Sequence, residues 1–222
     1  HISMLSWAYA RMGHTPAPLF DALAAAASDR RKLTSFTKQG LSVVAWAFAS
    51  AQHPAPALFD ALAHEMLRPG RLQAFSEYNL SITAWAFAKA AHATPELFAA
   101  LAAELMRHGR LPECSPQNLA NTAWAFAKSE YAESTAAAEL FDALAAEMCQ
   151  RGRLRAFEPH HLLTSAWAFA RTRHAAPALF DAFAREMLRR GDLERLNGLD
   201  RDSWSWAFER QGTILPPTLS LT

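Results

Sequence analysis

Two sets of residues that could do chemistry recur along the chain: the histidines His14, His53, His92 and His174, and the glutamates Glu65, Glu104, Glu147 and Glu186. Imidazole and carboxylate are zinc ligands and general acids or bases, so the spacing decides whether they can act together. Groups that recur once per stacked helix pair lie about 10 Å apart, whereas the ligands of one zinc each lie about 2 Å from it. The histidines are therefore expected as structural residues at a turn, and the glutamates make no catalytic pair. Cys114 and Cys149 have neither CxxC nor zinc spacing and read as reduced, small apolar residues. The chain has no Gly-rich phosphate loop, HExxH or nucleophile elbow. No catalytic residue, metal site or cofactor is assigned, and an enzyme is not expected.

The chemistry that remains is that of cations. Arg11, Lys89, Lys128, Arg171 and Arg210 occupy one equivalent position, and Lys32, Arg71, Arg110 and Arg153 another. A cation repeated at helical-stack spacing suits a phosphate backbone, but a basic residue near a helix C-terminus is also favoured by the helix dipole. The second set follows a helix end and is read as C-terminal capping charge, with phosphate contact the alternative. With 22 Lys and Arg against 21 Asp and Glu, net charge +1, a nucleic-acid binder of this composition needs its basic groups sorted onto one surface.

The elements that position these residues follow from a repeat. Ala-Trp-Ala-Phe-Ala recurs complete or nearly so, with its tryptophan at Trp7, Trp46, Trp85, Trp124, Trp167 and Trp206, in steps of 39, 39, 39, 43 and 39. That beat predicts an all-α fold, a right-handed α-solenoid of tandem antiparallel helix pairs with a period of 39 residues. The whole chain, 1–222, is one such array, with repeats at 1–36, 37–75, 76–114, 115–157, 158–196 and an incomplete 197–222. Thr37, Ser76, Ser115 and Asn197 are expected N-caps, and Glu158 a poorer one. Helix A then runs through the tryptophan, prolines such as Pro54 and Pro56 close the turn, and helix B carries Leu58, Phe59, Leu62 and Met66 at helical spacing. Gly70, Gly109, Gly152 and Gly191 are expected to cap the second helices. The four-residue slip falls at Ala132 to Ala138, in the turn of the fourth repeat. In the sixth, Ser203 to Arg210 supplies helix A, while Pro216-Pro217 and a polar tail replace helix B. His1 aligns with Gly40, inside a repeat, so the chain reads as an excerpt of a longer repeat protein with any targeting peptide outside it. No apolar run approaches the roughly 18 to 20 residues of a membrane span.

At about 100° per residue, Leu41, Val44, Ala45 and Phe48 face helix B, and Trp46 points toward the neighbouring repeat as core packing. The stripe left over is Gln39, Val43, Ala47 and Ser50. It continues as Tyr78, Ile82, Ala86, Lys89; Gln117, Asn121, Ala125, Lys128; His160, Thr164, Ala168, Arg171; and Leu199, Ser203, Ala207, Arg210, with Met4, Ala8 and Arg11 in the first repeat. The repeats differ here and hardly at all at their packing positions. Stacked about 10 Å apart, the terminal cations would line one surface for some 50 Å.

The run from Ser115 through Trp124 to Ala127, followed by a proline and the Leu-Phe start of helix B, resembles the octotricopeptide repeats of algal organelle proteins. It is also similar to the helical repeats of FAST-kinase-like and RAP-domain proteins. Single prolines such as Pro95 and Pro177 stand where the green-algal repeats carry a Pro-Pro-Pro-Glu element. The resemblance implies an RNA-binding protein of a plastid or mitochondrion that acts on processing, stability or translation of transcripts, each repeat addressing about one nucleotide through its first helix. The RNA-facing residues it implies, together with the stripe, are Arg11, Gln39, Val43, Tyr78, Ile82, Lys89, Gln117, Asn121, Lys128, His160, Thr164, Arg171, Ser203 and Arg210. The alternative is a scaffold that holds other proteins within a larger organellar assembly, such as a ribosome or a photosynthetic complex.

Overall fold

Each first helix begins where a polar side chain turns back onto its own backbone. In the computed structural model, which describes residues 1–107 and 109–212, Thr37 Oγ1 accepts from the Gly40 N–H at 3.0 Å and Ser76 Oγ from Asn79 at 3.3 Å. Ser115 Oγ accepts from Asn118 at 3.2 Å and Asn197 Oδ1 from Asp200 at 2.9 Å. These caps satisfy backbone donors that a helix start otherwise leaves unpaired. Glu158, expected as a poorer cap, gains a partner in His161, whose Nδ1 accepts from the Glu158 N–H at 3.1 Å. The first helices so begun are α4 (Lys38–Ala51), α6 (Glu77–Lys89), α9 (Pro116–Lys128), α11 (Pro159–Arg171) and α13 (Gly198–Arg210), preceded by α1 (Ile2–Arg11).

The second helices are α2 (Ala17–Ala27), α5 (Pro56–Met66), α7 (Pro95–Leu105), α10 (Thr135–Met148) and α12 (Pro177–Arg190). Proline occupies the first turn of α5, α7 and α12, where its missing N–H costs nothing. In the fourth repeat a 3-10 turn, Glu130–Glu133, precedes Ser134, which caps α10. Three of the four extra residues, expected in the turn, lengthen the start of that helix instead: α10 has 14 residues where α7 has 11. The glycine expected as a C-cap takes that place only in α12, where Gly191 has φ 66°. α5, α7 and α10 instead end on Leu67, Met106 and Cys149, and Gly70, Gly109 and Gly152, all with positive φ, turn the chain three residues later. That turn leads into the short helix α8 (Arg110–Glu113) or a 3-10 turn, while α3 (Arg30–Leu33) is the connector of the first repeat. All described residues are helical or loop, with no strand among them. The reading of Pro216-Pro217 and the tail as a replacement for a second helix lies outside the described residues.

Packing runs from one helix pair to the next. The first helices touch in chain order, α1 on α4, α4 on α6, α6 on α9, α9 on α11 and α11 on α13. The buried phenylalanine of each second helix meets that of the following first helix: Phe20–Phe48 at 5.1 Å between ring centroids, Phe59–Phe87 at 5.0 Å, and Phe98–Phe126, Phe141–Phe169 and Phe180–Phe208 at 4.9 Å. Such tilted pairs are worth about 0.5–1.5 kcal/mol beyond the area they bury. A histidine after the first helix stacks on the same rings and reaches an aspartate of the preceding pair, His53 to Asp21 at 2.9 Å, His92 to Asp60 at 2.8 Å and His174 to Asp142 at 2.9 Å. In the fourth repeat Tyr131 sits against Phe98 and Phe126 instead.

The glutamates anchor a second cross-pair device. Arg71 Nη2 donates to the Phe36 carbonyl at 2.6 Å while its Nε lies 3.1 Å from Glu65. Arg110 donates to the carbonyls of Phe75 and Gln73 at 2.8 and 2.9 Å and pairs with Glu77 at 3.1 Å and Glu104 at 3.6 Å. Arg153 pairs with Glu147 at 2.8 Å and donates to the Cys114 carbonyl. These arginines, expected to cap their own helices, tie the end of the preceding repeat to the buried carboxylate of their own. In the fifth repeat Asp192 occupies the arginine's register, and Arg190 takes over, reaching the carbonyls of Leu154 and Phe157 while holding Glu186 at 2.6 Å. Among the described residues no helix is long and apolar enough to cross a membrane.

Two outcomes follow from the clamps. Arg153→Ala leaves the buried Glu147 without its partner and should cost about 3 kcal/mol, whereas Arg171→Ala on the exposed face should change stability by less than about 0.5 kcal/mol; urea unfolding measures both. Hydrogen bonds from Arg189 and Arg190 outweigh burial and pull the Glu186 carboxyl down to about 2. Its stabilising contribution is therefore complete above about pH 4.5 and is lost as pH falls toward 2. The Tm gap between wild type and Glu186→Gln should be constant above pH 5 and close below pH 4, and a gap that widens in acid contradicts this assignment.

Candidate nucleic-acid interface

The stripe residues lie on helices fixed by identical packing, so their environment follows a common order. The residue at the start of each first helix is exposed: Gln39, Tyr78 (52%), Gln117, His160 and Leu199 (83%). One turn on, Val43, Asn121, Thr164 and Ser203 are half-buried. The alanines Ala47, Ala86, Ala125, Ala168 and Ala207 are fully buried. At the C-terminal end Arg11, Lys89, Lys128, Arg171 and Arg210 are exposed again, and Ser50 is half-buried. Each helix thus presents two raised ends and a low middle, because alanine lets the adjacent helix close over that point.

Ile82 departs from the order. It is 6% exposed, so it offers its neighbours packing surface rather than a face to a ligand, unlike its counterparts Asn121 and Thr164. Tyr78 makes no such contribution to the core.

The cations separate into two populations. Arg71, Arg110, Arg153 and Arg190 are committed to carboxylates and backbone carbonyls. Arg11, Lys89, Lys128, Arg171 and Arg210 enter no ion pair or hydrogen bond with any described residue, and Arg210 lies 5.7 Å over the Trp206 ring. Exposed and unpaired, each keeps its charge for a partner. Of the two sets found in the sequence, the first has all its charges free, while the second keeps only Lys32, exposed and without an ion pair to any described residue; the first is also the set that ends the variable stripe.

The tryptophans fill their expected packing role in part. Trp85, Trp124 and Trp167 are half-buried and packed against the core, with Trp85 and Trp124 6.2 Å apart, Trp46 is half-buried, and Trp7 and Trp206 are 47% and 37% exposed. The fully buried tryptophan is Trp204, outside the repeating series. Between α1 and α4 a cavity of about 360 Å³ joins Trp7 to stripe residues of both helices, Met4 and Ala8 on one side and Gln39 and Val43 on the other. The stripes of consecutive repeats therefore meet here in one depression. Trp7 and Gly40, which lines the same cavity, are absent from the RNA-facing residues named from the sequence. The signal for them was Gly40 standing where later repeats carry Asn79, Asn118, His161 and Asp200.

Cys114 is buried, and desolvation pushes its thiol up to about 12, so it is an inert packing group in the place of a phenylalanine. His53, His92 and His174 are held singly against aspartates, each in a different pair of repeats, and the exposed His14 lies beside Tyr9.

The burial order predicts a split at two neighbouring stripe positions. Ile82→Ala should cost about 2–4 kcal/mol for the cavity it leaves, and Tyr78→Ala should stay within about 0.5 kcal/mol, both measured by chemical unfolding. Comparison with known proteins finds no family model that matches the chain and no curated protein that matches it.

Proposed function

We propose that the chain is a right-handed α-solenoid of 39-residue helix pairs that binds single-stranded RNA along the surface of its first helices. The chain-order contact of the first helices and the recurring phenylalanine pair support the solenoid. One observation carries the RNA reading: the cations that end the variable stripe are exposed and unpaired, while three of the four in the second set, Arg71, Arg110 and Arg153, are consumed by the fold. A chain of net charge +1 thereby keeps five repeat-spaced positive groups beside side chains that differ from one repeat to the next. Cations on a regular spacing suit phosphates, and variable polar or aromatic neighbours such as Tyr78, Gln117, Asn121, His160 and Thr164 suit the edges and faces of unstacked bases. The resemblance to octotricopeptide-type repeats supports the same ligand and, further, a plastid or mitochondrial role in processing, stability or translation of transcripts. The protein acts by binding, not by catalysis.

A scaffold role is the second reading, and exposed apolar side chains at the two ends favour it: Met4, Leu5 and Trp7 on α1, Leu199 and Trp206 on α13. Such surface suits a neighbouring protein in an organellar assembly.

Binding of single-stranded oligonucleotides across a salt series separates the two. Neutralising five phosphates gives a slope of log affinity on log salt of about −3.5, and the combined change of Lys89, Lys128 and Arg171 to alanine should reduce it by about 2. Affinity insensitive to salt, or unaltered in the triple variant, contradicts RNA binding on this face.

A further inference from the structure

The notch between α1 and α4 is a cavity of about 360 Å³ lined by Trp7, Gln39 and Gly40, beside a Trp7 indole that is 47% exposed. Gly40 stands at the position that Asn79 and Asn118 fill with buried side chains, and that His161 and Asp200 hold in the last repeats.

We infer that this notch takes one nucleobase of the bound RNA, stacked on Trp7. The inference rests on the RNA reading above and assigns one nucleotide of that ligand to a built position. The indole offers a flat apolar surface, and Met4 and Val43 line the same cavity with aliphatic surface. A base needs both a stacking surface and polar groups at its edge. Gln39 supplies an exposed amide with donor and acceptor atoms, and Ser3 a hydroxyl; Thr37 also lines the notch, but its hydroxyl is engaged by the Gly40 N–H. Arg11, four residues after Trp7 and hence on the same side of α1, places a free cation where the nucleotide's phosphate would pass. An aliphatic side chain of a protein would fill the apolar part of the notch but leave the Gln39 amide and the Arg11 charge without complement.

A side chain at Gly40 meets Phe36 Cδ1 at 3.1 Å and Thr37 Oγ1 at 3.2 Å, so Gly40→Asn needs a small shift of the Phe36 ring. Asn79 and Asn118 are seated in the corresponding places of the next two repeats. Trp7 is exposed, and Trp7→Ala and Trp7→Phe give independent variants should Gly40→Asn fail to fold.

The test measures affinity for a single-stranded oligonucleotide and for a set of copies, each with one abasic position. For the wild-type chain one abasic position should cost about tenfold more than its neighbours, the loss expected for one stacked base. Trp7→Ala and Gly40→Asn should each weaken binding of the intact oligonucleotide by about tenfold and abolish that position's penalty, and Trp7→Phe should keep most of both. Salt-dependent RNA binding that has no privileged position, or that survives Gly40→Asn and Trp7→Ala unchanged, overturns the notch assignment and leaves the RNA reading standing. A wild-type chain that ignores the oligonucleotide at low salt overturns both, and leaves the notch to an apolar side chain of a protein partner.

Discussion

A helix pair of this sequence has more apolar surface than it can cover by itself. Its second helix carries a phenylalanine whose ring finds its partner only in the first helix of the next pair, and the contact recurs from Phe20–Phe48 to Phe180–Phe208 with nearly constant ring separation. Burial of that ring, at roughly 1.5–3 kcal/mol for each fully buried large apolar side chain, is available only when the next pair is present. Neighbour dependence of this kind sets the direction of packing, each first helix lying on the next in chain order.

The same geometry decides what the cations do. A connector that ends against the next pair leaves carbonyls exposed near a buried glutamate, and an arginine after the second helix satisfies both at once. Removal of charge from water is tolerated there because guanidinium and carboxylate meet with additional hydrogen bonds to the backbone. The fifth repeat shows that the site matters more than the sequence position: Asp192 cannot serve, and Arg190, two residues earlier, reaches the equivalent Phe157 carbonyl. Every positive charge used in this way is withdrawn from the surface. What is left at the C-terminal ends of the first helices is a sparse set, one cation in each repeat but the second, where Ser50 stands, which a near-neutral composition does not reveal.

Much of the fold could be read from the sequence because the features that set it are local and recur. Caps such as Thr37 and Ser115 act through atoms three residues away, and the aromatic positions declare themselves by repetition at 39 residues. Helical phase marks the two ends of the stripe, such as Gln39 and Lys89, which are exposed, but it does not separate the alanines, such as Ala47 and Ala86, from the packing positions, since they are fully buried. The clamps were not legible: Arg110 and Glu104 are close in sequence, but the carbonyls of Gln73 and Phe75 belong to the previous repeat, and no local pattern marks a backbone acceptor. Ile82 could not be told from Asn121 by phase, because both stand at one angle and differ in how deeply an apolar side chain settles between adjacent helices. The Trp7 notch could not be read from either helix alone, because α1 and α4 line it jointly.

The claim at the centre of this account is that the row of free cations and the variable stripe share a ligand. Photocrosslinking of a 4-thiouridine-substituted single-stranded RNA, with the linked peptides mapped by mass spectrometry, reads the contact surface residue by residue. Crosslinks confined to α1, α4, α6, α9, α11 and α13, at residues such as Tyr78, Gln117 and His160, are the predicted result. Crosslinks on the outer faces of α5, α7, α10 and α12, or none above an unlabelled competitor, would contradict it.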